Sequence, residues 1–209
     1  MRDLRDIDLN VSRETLERLD TYCQQLERWS AKINLIAPTS QEAMWKRHII
    51  DSAQLFHLRD PLGESWCDLG SGGGLPGIVL AIIASELSPG LCFDLVESDA
   101  RKAAFLRIIS KDLSLNATIH HARAEGLAPL RARTLTARAL APLDKLLGYV
   151  QLHMDPDGVA LLPKGRNHAA EISAARKNWT FDIDLVNSVA DEEARILCVR
   201  RICKESESA

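Results

Sequence analysis

Between residues 12 and 33, apolar side chains recur at steps of three and four: Leu16, Leu19, Tyr22, Leu26, Trp29 and Ile33 form one stripe. That is the period of an amphipathic helix, and the pattern predicts one here. Ser12 supplies an N-cap acceptor, and Glu14 suits the positive end of the helix dipole. Pro38-Thr39-Ser40 interrupts the pattern. A second helix is predicted over 41–57, with Trp45, Ile49, Ala53 and Phe56 on one side, and Pro61-Leu62-Gly63 marks a turn.

From residue 65 the rhythm changes to short apolar runs alternating with helical stretches. Strands are predicted at 65–69, 91–97, 117–120, 134–140, 159–162, 180–186 and 195–202. Helices are predicted at 76–86, 99–113, 143–153 and 168–177, the second capped by Asp99. Such alternation builds a mostly parallel sheet covered by helices on both faces. The last two strands, joined by a polar segment, are expected to pair antiparallel. The organisation expected is an N-terminal helical extension over residues 1–60 and one compact α/β unit over 61–209, with the polar tail 204–209 frayed. Open sheets of this kind bind ligands beyond the carboxyl ends of their strands, near the point where strand order reverses.

Composition adds limits. The chain has 209 residues, 46% hydrophobic and 26% charged, enough to form a core without a disulfide or metal staple. The longest apolar run, 77–84, is far short of the roughly 18 residues of a membrane span. The charged N-terminus lacks a signal-peptide pattern, so a cytoplasmic location is expected. Five cysteines (Cys23, Cys67, Cys92, Cys198 and Cys203) include no C-x-x-C pair and read as small buried hydrophobes rather than metal ligands. The net charge of −3 excludes a uniformly basic nucleic-acid coat. Residues 101–140 nevertheless carry eight Lys/Arg against two acids, a local excess able to meet phosphates.

The candidate chemistry lies in residues 68–77, Asp-Leu-Gly-Ser-Gly-Gly-Gly-Leu-Pro-Gly, between a predicted strand and a predicted helix. Gly70, Gly72 and Gly74 permit positive φ and close approach of backbone to a ligand. Gly72, Gly74 and Gly77 satisfy the G-x-G-x-x-G dinucleotide fingerprint, with Glu97 ending the next strand to hold ribose hydroxyls. Asp68-x-Gly70-x-Gly72-x-Gly74 equally satisfies the D-x-G-x-G-x-G loop of S-adenosylmethionine-dependent methyltransferases. A carboxylate at Asp68 repels a pyrophosphate and attracts a sulfonium and an amino group, which favours the second ligand.

Four segments resemble the ribosomal small subunit methyltransferase G family, also called glucose-inhibited division protein B. They are Trp29-Ser-Ala-Lys-Ile-Asn34-Leu35; Arg47-His48-Ile-Ile-Asp51-Ser52; the loop Asp68 to Gly77 with its Leu75-Pro76-Gly77; and Glu97-Ser-Asp-Ala-Arg-Lys102 through Phe105-Leu106 and Arg123-Ala124-Glu125 to Arg138-Ala139. Leu162-Pro-Lys164-Gly165 is a weaker match. The resemblance implies a Rossmann-like class I methyltransferase fold with a mostly parallel seven-stranded sheet and an antiparallel C-terminal hairpin. It implies S-adenosylmethionine as methyl donor and ring nitrogen 7 of a guanine in 16S ribosomal RNA as acceptor, giving 7-methylguanosine. The partner is then small-subunit ribosomal RNA or the small subunit itself, met by a monomer. Carried over residue by residue, it assigns cofactor contacts to Gly70, Leu75, Ala124, Glu125 and Arg138, beside Glu97. Arg133 departs from the family, which usually has an aspartate there, and Glu97 replaces an aspartate.

Glu125 is suited to accept adenine's amino hydrogens, and Arg138 to bind a carboxylate or an RNA phosphate. Arg123 and Lys164 are the candidate RNA contacts. Nitrogen 7 carries a free lone pair even within a duplex, and a sulfonium methyl is already activated, so no base is required. No triad, carboxylate pair or metal cluster is evident, and no side chain is assigned as catalytic. His48 and the pair His120-His121 read as structural. An NAD-dependent oxidoreductase, a non-enzymatic RNA-binding or ribosome-assembly module, and a small-molecule methyltransferase are the alternatives.

Overall fold

The computed structural model describes residues 3–37 and 41–205; the interruption at Pro38-Thr39-Ser40 and the end of the tail, 206–209, lie outside them. Seven strands form one sheet: β1 (Ser65–Leu69), β2 (Cys92–Glu97), β3 (Ala117–His121), β4 (Ala132–Ala137), β5 (Met154–Lys164), β6 (Trp179–Asn187) and β7 (Arg195–Lys204). Their order is β3-β2-β1-β4-β5-β7-β6. The first five are parallel, and β7 runs antiparallel to both β5 and β6. Strand order reverses between β1 and β4, so a crevice opens there at the carboxyl ends.

Alternation along the strands sorts side chains into two cores. Trp66, Phe93, Leu95, Val159 and Leu161 face one side. There they meet α1 (Arg13–Ile33), α4 (Gly77–Leu87) and α5 (Ala100–Asp112). Cys67, Leu69, Val96, Leu135, Ala160 and Leu162 face the other side, against α6 (Leu143–His153) and α7 (His168–Ala175). The first turns of α4 are buried all round, residues 77–84 alike, because α1 and the short helix Asp51–Ala53 cover the faces that the sheet does not. That explains an apolar run without a polar face.

The N-terminal helices share this first core. Ser12 caps α1 by accepting from the Thr15 amide at 3.2 Å. Glu86, at the end of α4, accepts from the Ser12 amide at 2.9 Å and the Thr15 hydroxyl at 2.5 Å. Those bonds hold the Glu86 carboxyl below its usual range. Trp29 packs on Phe105 of α5 with ring centroids 5.6 Å apart.

Several elements differ from the sequence pattern. The helix predicted over 41–57 is broken into α2 (Gln41–Met44), a π-helical stretch (Trp45–Ile50), α3 (Asp51–Ala53) and a 3-10 turn (Gln54–Leu58). Trp45, Ile49, Ala53 and Phe56 are all buried, as the stripe implied. Strand β4 begins earlier and ends at Ala137 rather than 140, because Ala139 adopts a φ of +53° and turns the chain. Strand β5 begins at Met154 rather than 159, running through a Pro-Asp-Gly stretch with an irregular pairing to β4. Helix α4 begins at Gly77, with Pro76 just outside it. Cys23, Cys67 and Cys198 are buried, whereas Cys92 and Cys203 are exposed, contrary to the uniform burial expected.

Leu26 is fully buried, and its Cδ1 lies 2.8 Å from where a Cβ on Gly73 would sit. Leu26→Ala is expected to cost about 2–5 kcal/mol, the range for buried leucine truncation, read from urea unfolding. A loss below about 1 kcal/mol would show that α1 does not pack on the glycine loop.

Candidate functional site

The turn from β1 into α4 is held from below by a buried carboxylate. Asp68 is fully buried on the face shared with Trp66. Its Oδ2 accepts from the Gly77 amide at 3.1 Å, and its Oδ1 from the Thr136 hydroxyl at 2.8 Å. Thr136 Oγ1 in turn accepts from the Trp66 indole at 3.1 Å. Burial pushes the Asp68 carboxyl up to about 6, only partly offset by these bonds. Gly70, Gly72 and Gly74 all have positive φ, at 69°, 55° and 92°. From the other side, the Tyr22 hydroxyl of α1 donates to the Gly73 carbonyl at 2.7 Å.

Glu97, at the end of β2, sits beside this loop with 7% exposure. Its Oε2 accepts from the Gly72 amide at 2.8 Å, and its Oε1 from the Asp99 amide at 2.7 Å. Each oxygen keeps a further lone pair for an incoming hydroxyl. A Cβ added to Gly72 would meet only the Gly70 carbonyl, at 3.8 Å, so the loop leaves open space where a ligand needs it. Beside it is a cleft of 180 Å³ lined by Gly70, Val96, Ser98, Arg123, Ala124 and Glu125. The turn carrying Ala124 and Glu125 is fixed by His153, whose Nε2 bonds the Ala124 carbonyl at 2.8 Å.

A second, larger cavity of 1220 Å³ opens at the carboxyl ends of β4 and β5. Leu140 and Ala141 line both spaces, so the two adjoin. Arg138 projects into the larger one, its Nη1 lying 3.4 Å from Asp51 Oδ2 and 3.5 Å from His48 Nδ1. Burial and the Arg138 charge lower the His48 pKa to about 4, so this imidazole is neutral near pH 7. Lys164 lines the wall, donating to the Ala141 carbonyl at 2.9 Å and to Glu171 at 2.7 Å.

Gly70, Ala124, Glu125 and Arg123 thus line the small cleft, with Glu97 bound to its loop, while Arg138 and Lys164 line the larger cavity. Leu75 stands apart: its side chain is 5% exposed and packs in the first core. The charge argument for Asp68 is corrected, because its carboxylate faces the α4 amide and Thr136 rather than a ligand. The preference over a dinucleotide survives for a different reason. The first amide of α4, which a pyrophosphate would need, is already taken by a carboxylate.

Arg133 lies near the amino end of β4, paired with Asp60 and Asp155, and so does not enter the site. The basic segment 101–140 is accordingly spread over both ends of the sheet rather than gathered in one patch. The sequence places Tyr22 only in the apolar stripe of α1 and positions 153 and 140 only at element ends, since nothing in a linear pattern pairs a helix tyrosine or a helix-end histidine with a distant carbonyl. Asp51 appeared there only within a motif, without a role.

A seven-stranded mixed sheet reversing at β1/β4, with antiparallel β7 inserted between β5 and β6, a glycine loop of positive φ and an acid ending β2 together match the class I S-adenosylmethionine-dependent methyltransferase fold. Solved structures share this fold at low identity. A SAM-dependent methyltransferase from Aquifex aeolicus superposes with a TM-score of 0.58 at 9% identity, covering 85% of this chain and 97% of that one. M. jannaschii TYW2 in complex with AdoMet gives 0.54 at 15%, covering 80% and 77%. The family model described as rRNA small subunit methyltransferase G matches residues 15–198. Proteins called ribosomal RNA small subunit methyltransferase G are 52% identical over 189 residues in Cereibacter sphaeroides (90% of this chain, 91% of that one) and 48% identical over 190 residues in Paracoccus denitrificans (90% and 96%). The chain belongs to the rRNA small subunit methyltransferase G family.

At Gly74 a Cβ would lie 2.8 Å from Ile78 Cβ and 3.2 Å from Leu106 Cδ2, at a φ of +92°. Gly74→Ala is expected to weaken S-adenosylmethionine binding roughly tenfold or more, as strain of about 1–3 kcal/mol distorts the loop. Unchanged affinity in titration calorimetry would separate the loop from the cofactor. For Asp68, whose folded pKa of about 6 exceeds its ordinary 3.8, the native state holds the extra proton between those values. Stability contributed through this group therefore falls as pH rises from about 4 to above 6. The urea stability of the parent relative to Asp68→Asn should improve by about 1–3 kcal/mol on lowering pH from 7 to 4.5. A flat difference would contradict the shift.

Proposed function

We propose that this protein methylates ring nitrogen 7 of a guanine in small-subunit ribosomal RNA. The carrying observation is the pair of adjoining spaces, a cofactor cleft beside the glycine loop and a cavity bearing Arg138 at the β1/β4 reversal. S-adenosylmethionine supplies a sulfonium-activated methyl: the N7–C bond forms from the nitrogen lone pair as the C–S bond breaks, and the positive charge passes to the base. No proton moves, and the chain needs no general base.

In this reading Glu97 accepts the ribose hydroxyls. The backbone at Gly70, Leu75 and Ala124 follows the cofactor, and Glu125 receives the adenine amino group. Arg138 holds the cofactor carboxylate or a phosphate of the acceptor. Arg123 and Arg47, both exposed, meet RNA phosphates near the two openings. Lys164 acts through the Ala141 carbonyl it holds, fixing the wall between the two spaces, and adds its charge to the RNA side. Residues 1–60 form an extension that braces the glycine loop and walls the larger cavity, and residues 61–209 the methyltransferase unit proper. The protein acts as a monomer on the RNA or on the assembled subunit. Catalysis then comes from orientation and exclusion of water.

Small subunits from cells lacking the protein, incubated with it and labelled S-adenosylmethionine, should take up label in one guanosine of the ribosomal RNA. That nucleotide should cleave after reduction and aniline treatment. Naked ribosomal RNA tested in parallel identifies the acceptor form. Label in another RNA, or label resistant to scission, would refute the reading. Glu97→Ala is expected to raise the dissociation constant for S-adenosylmethionine about 10–100-fold, the loss of hydrogen bonds to a charged group. A change of less than twofold would remove Glu97 from the cofactor site.

A further inference from the structure

We propose that Asp51 is the residue that selects guanine, by accepting hydrogen bonds from N1–H and the 2-amino group of the target base. The inference rests on the proposed methylation of nitrogen 7 and goes further by naming what reads the base. Nitrogen 7 belongs to the five-membered ring, and the N1–H and 2-amino donors lie on the Watson–Crick edge of the six-membered ring, directed away from nitrogen 7. A base that presents nitrogen 7 to the cofactor cleft therefore turns those two donors into the larger cavity. The matching acceptor for two adjacent donors is a carboxylate.

Among the described residues, three acids line that cavity: Asp51, Glu171 and Asp191. Glu171 is spent on structure, its Oε2 accepting from the Leu143 amide at 2.8 Å and from Lys164 at 2.7 Å. Asp191 is exposed, with Oδ1 bound to the Glu193 amide at 2.9 Å. Asp51 is different. Its side chain is only 17% exposed. Oδ1 is anchored by Gln54 Nε2 at 2.9 Å, with Ser188 Oγ at 3.4 Å. Gln54 is itself buried and receives the Val189 amide from the loop between β6 and β7 at 3.0 Å. Among the described residues, Oδ2 has only the Arg138 contact of 3.4 Å, well beyond the 2.7–2.9 Å of a charge-assisted bond. The carboxylate is thus rigidly aimed and short of donors, and burial accordingly raises its pKa despite Arg138.

The wall that the cavity shares with the cofactor cleft carries Leu140, 37% exposed, an apolar surface for a purine ring. Adenine would bring an unprotonated N1 against the carboxylate and be rejected. Methylation also leaves guanine cationic, which makes N1–H a stronger donor. The Asp51 bond therefore tightens as the methyl transfers, favouring the transition state over the bound substrate.

The test uses small-subunit ribosomal RNA joined from two pieces, with guanosine or inosine at the mapped methylation position. Inosine keeps N1–H and nitrogen 7 but lacks the 2-amino group. Methylation is measured as single-turnover kcat/KM for the parent, Asp51→Ala and the near-isosteric Asp51→Asn. Inosine should cost the parent about tenfold, the loss of one bond to a charged acceptor, and cost Asp51→Ala less than twofold because the acceptor is gone. Asp51→Asn should show a penalty smaller than the parent's. An inosine penalty below twofold in the parent overturns the proposal without reference to any variant. So does an equal penalty in parent and both variants. A parent that methylates neither RNA refutes the underlying reading, and the proposal falls with it, whereas methylation of guanosine RNA without the predicted coupling refutes Asp51 alone.

Discussion

Everything at this site hangs on one buried carboxylate. Asp68 has no access to solvent, and burial raises its pKa to about 6. It persists because it joins three elements: Thr136 of β4, the first amide of α4 and, through Thr136, the indole of Trp66 on β1. A buried polar group is tolerated when it is hydrogen-bonded, and here the bonds fix the distance between β1, β4 and α4. The glycine loop between them then has one course. Its positive-φ glycines leave space for a ligand, and Glu97 and Tyr22 bind its backbone from either side.

The N-terminal helices follow from the same geometry. A loop so rich in glycine has few side chains of its own to pack, so its outer surface must be covered. Leu26, Leu35 and Tyr22 supply that cover at Gly73. The broken helix at Trp45–Ile50 then brings His48 and Asp51 to Arg138 at the end of β4. Irregular helical turns of this kind are frequent at functional sites, where they re-aim side chains. One N-terminal segment therefore braces the glycine loop and closes the wall of the larger cavity.

Much of this was legible in the chain. The alternation of strand and helix gave the sheet, and the clustered glycines at 70, 72 and 74 marked the positive-φ turn because only glycine takes such angles freely. Alternation within β1 also held the fate of Asp68, which shares a face with Trp66 and so must be buried. A charge turned toward a ligand is incompatible with that period. The end of β4 was hidden because Ala139 turns the chain at a positive φ that alanine rarely adopts. Arg133 looked like a change at the site, yet its place at the amino end of β4 puts it with Asp60 and Asp155, where its charge is balanced. Contacts such as His153 to Ala124 join residues 29 positions apart and carry no local signal.

A crystal structure with S-adenosylhomocysteine bound would show whether the loop held by Asp68 is the cofactor cradle. The ligand is expected beside Gly70 and Gly72, its ribose hydroxyls on Glu97 and its adenine against Ala124 and Glu125, with Asp68 still bound to Gly77 and Thr136. A ligand seated elsewhere, or one contacting the Asp68 carboxylate, would contradict it.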